Sequence, residues 1–223
     1  MSNNIIALAG KGGAGKSTIA VNPELALTHA GESTVLVETN IIRPSTSLLF
    51  GTAKLPHQIQ DALANKCTPQ ETIYQHPTGL RFVPASIAAE KAHAQLLRMP
   101  ELLIQYKTQA HNIILDAPVG LSTDALHLLC NAKNSFVPVM PDKLNMTEGL
   151  RIRHPITNVR GMILNKSTNS LSEKFFNAPF LASLPEAQTI LNATQIGQPF
   201  AQLLPEHNFA TRINKLVQKC LRL

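Results

Sequence analysis

The stretch Gly10-Lys11-Gly12-Gly13-Ala14-Gly15-Lys16-Ser17-Thr18 concentrates glycines, two lysines and two hydroxyls between an apolar run and a helix-forming segment. G-x-x-x-x-G-K-S in that context is a phosphate-binding loop. Glycines let backbone N–H groups close around phosphate oxygens, and the start of the next helix adds positive potential. In this pattern Gly12, Gly13, Ala14, Gly15, Lys16, Ser17 and Thr18 line a phosphate chain. Lys16 reaches its β- and γ-phosphates, and Ser17 is a Mg²⁺ ligand. Lys11 is surplus to the cradle, because a second lysine just after the first glycine is not needed to hold the phosphates. The other acid-bearing run is Ile113-Ile114-Leu115-Asp116. An apolar strand ending in Asp suits holding Mg²⁺ through its water shell, although a lone strand-terminal Asp is often only a helix cap.

The elements that must position these groups alternate between short β-type runs and longer helical patterns, which predicts a parallel sheet covered on both faces. Expected strands are Asn4–Ala9, Thr34–Glu38, Leu80–Pro84, Asn112–Asp116, Ser135–Val139, Val159–Leu164 and Phe180–Leu184. Their apolar residues run continuously rather than alternating, as in strands buried on both sides. Expected helices are Lys16–Ala30, Gln58–Asn65, Pro69–Tyr74, Glu101–Gln109, Thr123–Asn131, Met146–Arg153 and Phe209–Leu221. The fold class is α/β: a P-loop NTPase-type, three-layer α/β/α domain with a mostly parallel twisted sheet, spanning 1–223 as one unit. Pro23, two turns into the first helix, is expected to kink or shorten it. Asn145 followed by Glu148 reads as a capping box opening a helix. In an open sheet of this type ligands bind beyond the carboxyl ends of the strands. There the phosphate loop, Glu38-Thr39-Asn40 and Asp116-Ala117-Pro118-Val119-Gly120 should converge.

Composition narrows the class. The chain has 223 residues, 44% hydrophobic and 15% charged, enough for a substantial core. No apolar run approaches the ~18 to 20 residues of a membrane span, and the N-terminus lacks the basic region of a signal peptide. Cys67, Cys130 and Cys220 are scattered, with no C-x-x-C or C-x-C pair, which argues against zinc or iron–sulfur and fits a reducing cytoplasm. Residues 1–150 balance eleven Lys/Arg against eleven Asp/Glu; residues 151–223 hold nine against three, so the formal +6 sits in the last third. Such a skew suits an anionic partner or simply a solvated basic face, and no compact Lys/Arg cluster accompanies it.

Beyond the loop, several segments resemble the MinD/ParA family of deviant Walker A ATPases, most of all its MinD-like members. They are Asp116-Ala117-Pro118-Val119-Gly120-Leu121, Val139-Met140-Pro141-Asp142 with Thr147-Glu148-Gly149-Leu150, and Gly161-Met162-Ile163-Leu164-Asn165-Lys166. Gly79–Ala85 and Gly197–Phe200 follow the same order. The resemblance implies ATP/ADP and Mg²⁺ as cofactors. It makes Lys11 the signature lysine that reaches the partner's ATP across a nucleotide-sandwiched homodimer. Lys16, Ser17 and Thr18 become phosphate and Mg²⁺ contacts, Asp116 the Walker B acid, and Asn165 the reader of the adenine edge through an amide that donates and accepts.

Where that family has D-x-D at the end of its second strand, this chain has Glu38-Thr39-Asn40. Glu38 retains the charge as an expected Mg²⁺-shell residue. Asn40, at the place of the water-activating acid, can orient water but accept no proton. The expectation is an ATP-dependent dimerising switch in spatial positioning or cell division, with slow or partner-stimulated hydrolysis and an unidentified protein partner. Its place is cytoplasmic, or peripheral at a membrane. A ParA-like switch on non-specific DNA and a hydrolysis-impaired ATP-binding scaffold are the alternatives; a metal-cluster carrier ranks last for want of a cysteine pair. The last helix places Ile213, Leu216, Val217, Cys220 and Leu221 on one face and basic residues elsewhere. That pattern fits packing on the protein's own sheet, or lying on an anionic membrane.

Overall fold

The computed structural model describes residues 4–50, 55–88, 91, 96–167 and 180–221. Eight strands form one sheet in the order β3-β4-β2-β5-β1-β6-β7-β8. They are β1 (Asn4–Gly10), β2 (Thr34–Glu38), β3 (Tyr74–Gln75), β4 (Arg81–Val83), β5 (Asn112–Val119), β6 (Asn134–Val139), β7 (Val159–Ser167) and β8 (Phe180–Pro185). Every pairing is parallel except β3 with β4. All seven expected strands are present, and the burial of β1, β2, β5 and β6 through most of their length accounts for their unbroken apolar runs.

The helices are α1 (Lys16–His29), α2 (Thr46–Leu49), α3 (Ile59–Leu63), α4 (Met99–Tyr106), α5 (Thr123–Asn131), α6 (Lys143–Arg153), α7 (Gln188–Gln195), α8 (Phe200–Leu203) and α9 (Asn208–Leu221). Period-two alternation splits the strand side chains between two cores. One buries Ala7, Val35, Val37, Ile113 and Leu115 under α3 to α6; the other buries Leu8, Leu36, Ile114 and Phe136 under α1, α8 and α9. Three layers result.

Several expectations need correction. α1 runs unbroken through Pro23. The lost hydrogen bond and ring clash cost about 3 kcal/mol. Burial of Ile19, Val21, Leu25 and Leu27, at about 1.5–3 kcal/mol per large side chain, outweighs that. Asn22 adds two ties: its amide donates to the Thr18 carbonyl at 2.7 Å and its Oδ1 accepts from Ala201 N at 2.8 Å. The segment Pro69–Tyr74 is a 3₁₀ turn over Pro69–Thr72 followed by β3, because Thr68 and Glu71 cap each other around a single short turn. The cap of α6 is Asp142, accepting from Asn145 N at 2.9 Å; Asn145 lies inside the first turn, so the Asn145–Glu148 box does not form. On α9, Ile213, Leu216 and Val217 are buried against the second core with Phe209 and Ala210. This face is spent on the protein's own sheet, not on a membrane; Cys220 and Leu221 lie outside the described side chains. Among the described residues no helix is long and apolar enough to cross a membrane.

Candidate nucleotide-binding site

The carboxyl ends of β1, β2, β5, β7 and β8 deliver their loops to one end of the sheet. The β1 loop turns on Gly13 and Gly15, whose φ values of 84° and 86° are left-handed. Such φ is routine for glycine and costs other L-residues roughly 1–2 kcal/mol. At Gly15 space is closed as well: a Cβ would stand 2.2 Å from Asn165 Nδ2. That amide donates to the Ala14 carbonyl at 3.0 Å, so the end of β7 lies directly on the loop. Ala14 is buried while Gly12 and Gly13 are exposed, leaving their amides open to a ligand.

Lys16, 6% exposed, curls over the loop and donates to the carbonyls of Gly10 and Lys11 at 3.2 and 3.3 Å. Burial pulls its pKa down, and the Asp116 carboxylate pulls the other way. Asp116 lies in register with Leu8 on one side and Glu38 on the other. By alternation all three point to the face that α1 covers. Burial pushes the Asp116 carboxyl up, opposed by the nearby Ser17 hydroxyl, Lys16 ammonium and Thr46 hydroxyl. Even so, neither Asp116 oxygen has a hydrogen-bond partner at bonding geometry, and Thr46 Oγ1 has none either. Buried carboxylate oxygens are ordinarily satisfied. An acceptor-only pair of oxygens beside a serine that begins a helix matches the donor chemistry of a hydrated Mg²⁺, so the residues fit that ion.

Glu38 is placed differently. It is fully buried, and both oxygens are engaged. Oε1 accepts from Ser45 N and from Thr46 N at 2.7 Å; Oε2 accepts from Ser47 N and Ser47 Oγ at 3.4 Å and Ala85 N at 3.3 Å. Burial and the Asp116 charge push its pKa to about 7, against those amides. Asn40, half-buried just past β2, donates to the Arg43 carbonyl at 2.8 Å and shapes the same loop. Thr39 ties β2 to β5, its hydroxyl donating to the Asp116 carbonyl at 2.8 Å. Ser17 Oγ meets Ser45 Oγ at 2.6 Å.

Lys11 lies beside Asp142. The Asn145 backbone amide chiefly, and the Lys11 charge among lesser causes, hold that carboxyl below its usual range. Gly120 N donates to Gly10 O at 3.3 Å, bringing the β5 loop alongside. Exposed Val119 (42%) and Leu144 (60%) stand on this same end. A cleft of about 320 Å³ opens next to the loop, lined by Gly15, Thr18, Asn165, Lys166, Pro185 and Gln188 among others. Thus the structure brings Gly12–Thr18, Lys16, Asp116 and Asn165 together, sets Glu38 behind them and Asn40 at the edge.

Sequence reasoning missed two groups. Ser45 and Thr46 had a signal: a hydroxyl-rich Ser45-Thr46-Ser47 run one loop beyond β2. The Pro185–Gln188 rim follows β8, and the strand-end rule applied to that strand would have found it.

Comparisons with known proteins bear on the family and the fold. The ParA family profile, described as NUBPL iron-transfer P-loop NTPase, matches residues 1–139. An uncharacterized ATP-binding protein of Methanocaldococcus jannaschii is 26% identical, covering 99% of this chain and 88% of that protein. The cell division ATPase MinD of Pyrococcus furiosus superposes with TM-score 0.89 at 24% identity, over 99% of both chains. The septum site-determining protein MinD of Pyrococcus horikoshii, solved with Mg-ADP, superposes with TM-score 0.87 at 24% identity, over 99% of this chain and 96% of that one.

Proposed function

Because the chain belongs to the ParA family of P-loop NTPases, we propose that it is an Mg-dependent ATP-binding switch that dimerises on ATP and hydrolyses it slowly. The observation that carries the reading is the orphaned Asp116 carboxylate facing Ser17 at the mouth of the phosphate loop. Gly12–Thr18 bind the phosphate chain, with Lys16 leaving the Gly10 and Lys11 carbonyls for the β- and γ-phosphates. Mg²⁺ at Ser17 and Asp116 supplies charge neutralisation at the transferring phosphoryl group. Asn165 and the Pro185–Gln188 rim enclose the base, consistent with the ATP-binding and Mg-ADP relatives. Asn40 orients water without taking its proton, which keeps turnover slow.

Lys11 has no place on its own subunit's phosphates in this reading. It is partly exposed and close enough to Asp142 to lower that carboxyl's pKa, at the end of the sheet where Val119 and Leu144 are exposed and a second copy carrying the same face meets it. A dimer closed over two nucleotides then exposes a surface for a protein partner, and spatial positioning in the manner of the MinD relatives is the setting that fits. Iron–sulfur cargo is not part of the reading, since the three cysteines are scattered and form no C-x-x-C pair.

The test is titration calorimetry with Mg-ATP and single-turnover hydrolysis in the same preparation. Wild type binds and turns over slowly. Lys16→Ala loses a charged hydrogen bond worth about 1.5–3 kcal/mol, or roughly 10- to 100-fold in affinity. Equal affinity in both proteins sinks the phosphate-loop assignment.

A further inference from the structure

The segment after β2 is held to the site by a carboxylate that does not face the ligand. Glu38 gathers the Ser45, Thr46 and Ser47 amides and reaches Ala85 N, so its lone pairs are filled by protons from the protein's own backbone. What this clamp presents to the site is a pair of hydroxyls. Ser45 Oγ stands 2.6 Å from Ser17 Oγ. Thr46 Oγ1, on a fully buried residue close to Asp116, has no hydrogen-bond partner, and neither do the two Asp116 oxygens.

Water bound to a divalent cation through its oxygen points both O–H groups outward as hydrogen-bond donors, so its outer-shell neighbours are acceptors. The three orphaned oxygens are two carboxylate oxygens and one hydroxyl oxygen, all buried beside Ser17. A Ser17 hydroxyl that donates to Ser45 keeps its lone pairs for the cation. We propose that Thr46 and Ser45 belong to the outer shell of the Mg²⁺ held at Ser17 and Asp116, and that Glu38 is the positioning residue that fixes them there rather than a ligand. The inference rests on the reading of Gly10–Thr18 as a Mg-nucleotide site. Its consequence is that metal binding and the conformation of residues 39–47 are linked: the ion and the Glu38 clamp hold the same short segment from its side chains and its backbone.

The test uses Mn²⁺ as the probe, followed by electron paramagnetic resonance as it binds the full-length protein with saturating ADP. ADP affinity in EDTA is measured alongside. Thr46→Val keeps the shape and removes the hydroxyl, Thr46→Ser restores it, and Ser45→Ala probes the second hydroxyl at a half-buried position. Loss of one outer-shell partner weakens metal affinity about tenfold or more. The expected result is that fall for Thr46→Val, a fall in the same direction for Ser45→Ala, and near wild-type affinity for Thr46→Ser. ADP affinity in EDTA stays level throughout, which also shows that each variant retains its loop. Unchanged Mn²⁺ affinity in both Thr46→Val and Ser45→Ala overturns the proposal. Failure of wild type to bind ADP in EDTA and in Mn²⁺ overturns the nucleotide-site reading beneath it.

Discussion

Asn40 is a neutral amide that accepts no proton; its Nδ2 donates to the Arg43 carbonyl, which leaves Oδ1 to meet a water in the proposed reaction. General-base assistance contributes roughly 10²–10⁴-fold to such reactions. Asn40→Asp is therefore expected to raise single-turnover hydrolysis by roughly 10²-fold or more if water activation limits the rate. An unchanged rate places the limit elsewhere in the cycle. The loop residues were legible in sequence because their chemistry is written in residue type: glycine where φ is left-handed, lysine and serine where charge and a hydroxyl are needed. Glu38 was not fully legible. Its charge suggested the metal, whereas its partners are backbone amides from a loop seven to nine residues further on, and no spacing rule encodes that contact.

At the scale of elements, α1 joins the phosphate loop to the far edge of the sheet. Glu24 on α1 is fully buried and accepts from Arg81 N of β4 at 2.9 Å and from Thr28 Oγ1 at 3.1 Å. Burial pushes its pKa up from 4.5 to about 8, against the Arg81 amide and the Thr28 hydroxyl. The folded protein thus keeps a proton that the unfolded chain releases above pH 4.5, so this group costs stability as pH rises from about 4.5 to about 8. Glu24→Gln keeps an acceptor and removes the titration. Urea unfolding should show the variant gaining on wild type progressively from pH 5 to pH 8; a gain equal at both ends contradicts a buried neutral Glu24. The strands were readable from their apolar runs, and α5 to the residue. The short helices α2, α7 and α8 were not, since four to eight residues carry too little periodicity to separate them from loop. Pro23 does not end α1, because tertiary burial outweighs a local penalty.

On the scale of the whole molecule, part of the basic last third is engaged in contacts within the chain while remaining largely at the surface. Arg160 donates to Asn134 Oδ1, Arg212 donates to the Ser183 carbonyl and Lys219 donates to the Leu181 carbonyl, while Arg151 pairs with Glu148. Two of these, Arg212 and Lys219, cover carbonyls of the edge strand β8, a common way of blunting an edge. The charge skew visible in sequence therefore does structural work that composition could not distinguish from a surface for nucleic acid. In the proposed dimer, Lys11 acts only when a second subunit brings its nucleotide to it. Light scattering or sedimentation of wild type and Lys11→Ala, without nucleotide, with Mg-ADP, and with Mg plus a non-hydrolysable ATP analogue, tests this directly. Wild type is expected to be a dimer only with the analogue, and Lys11→Ala a monomer in all three conditions. A wild-type protein that stays monomeric at saturating analogue contradicts the proposed dimer.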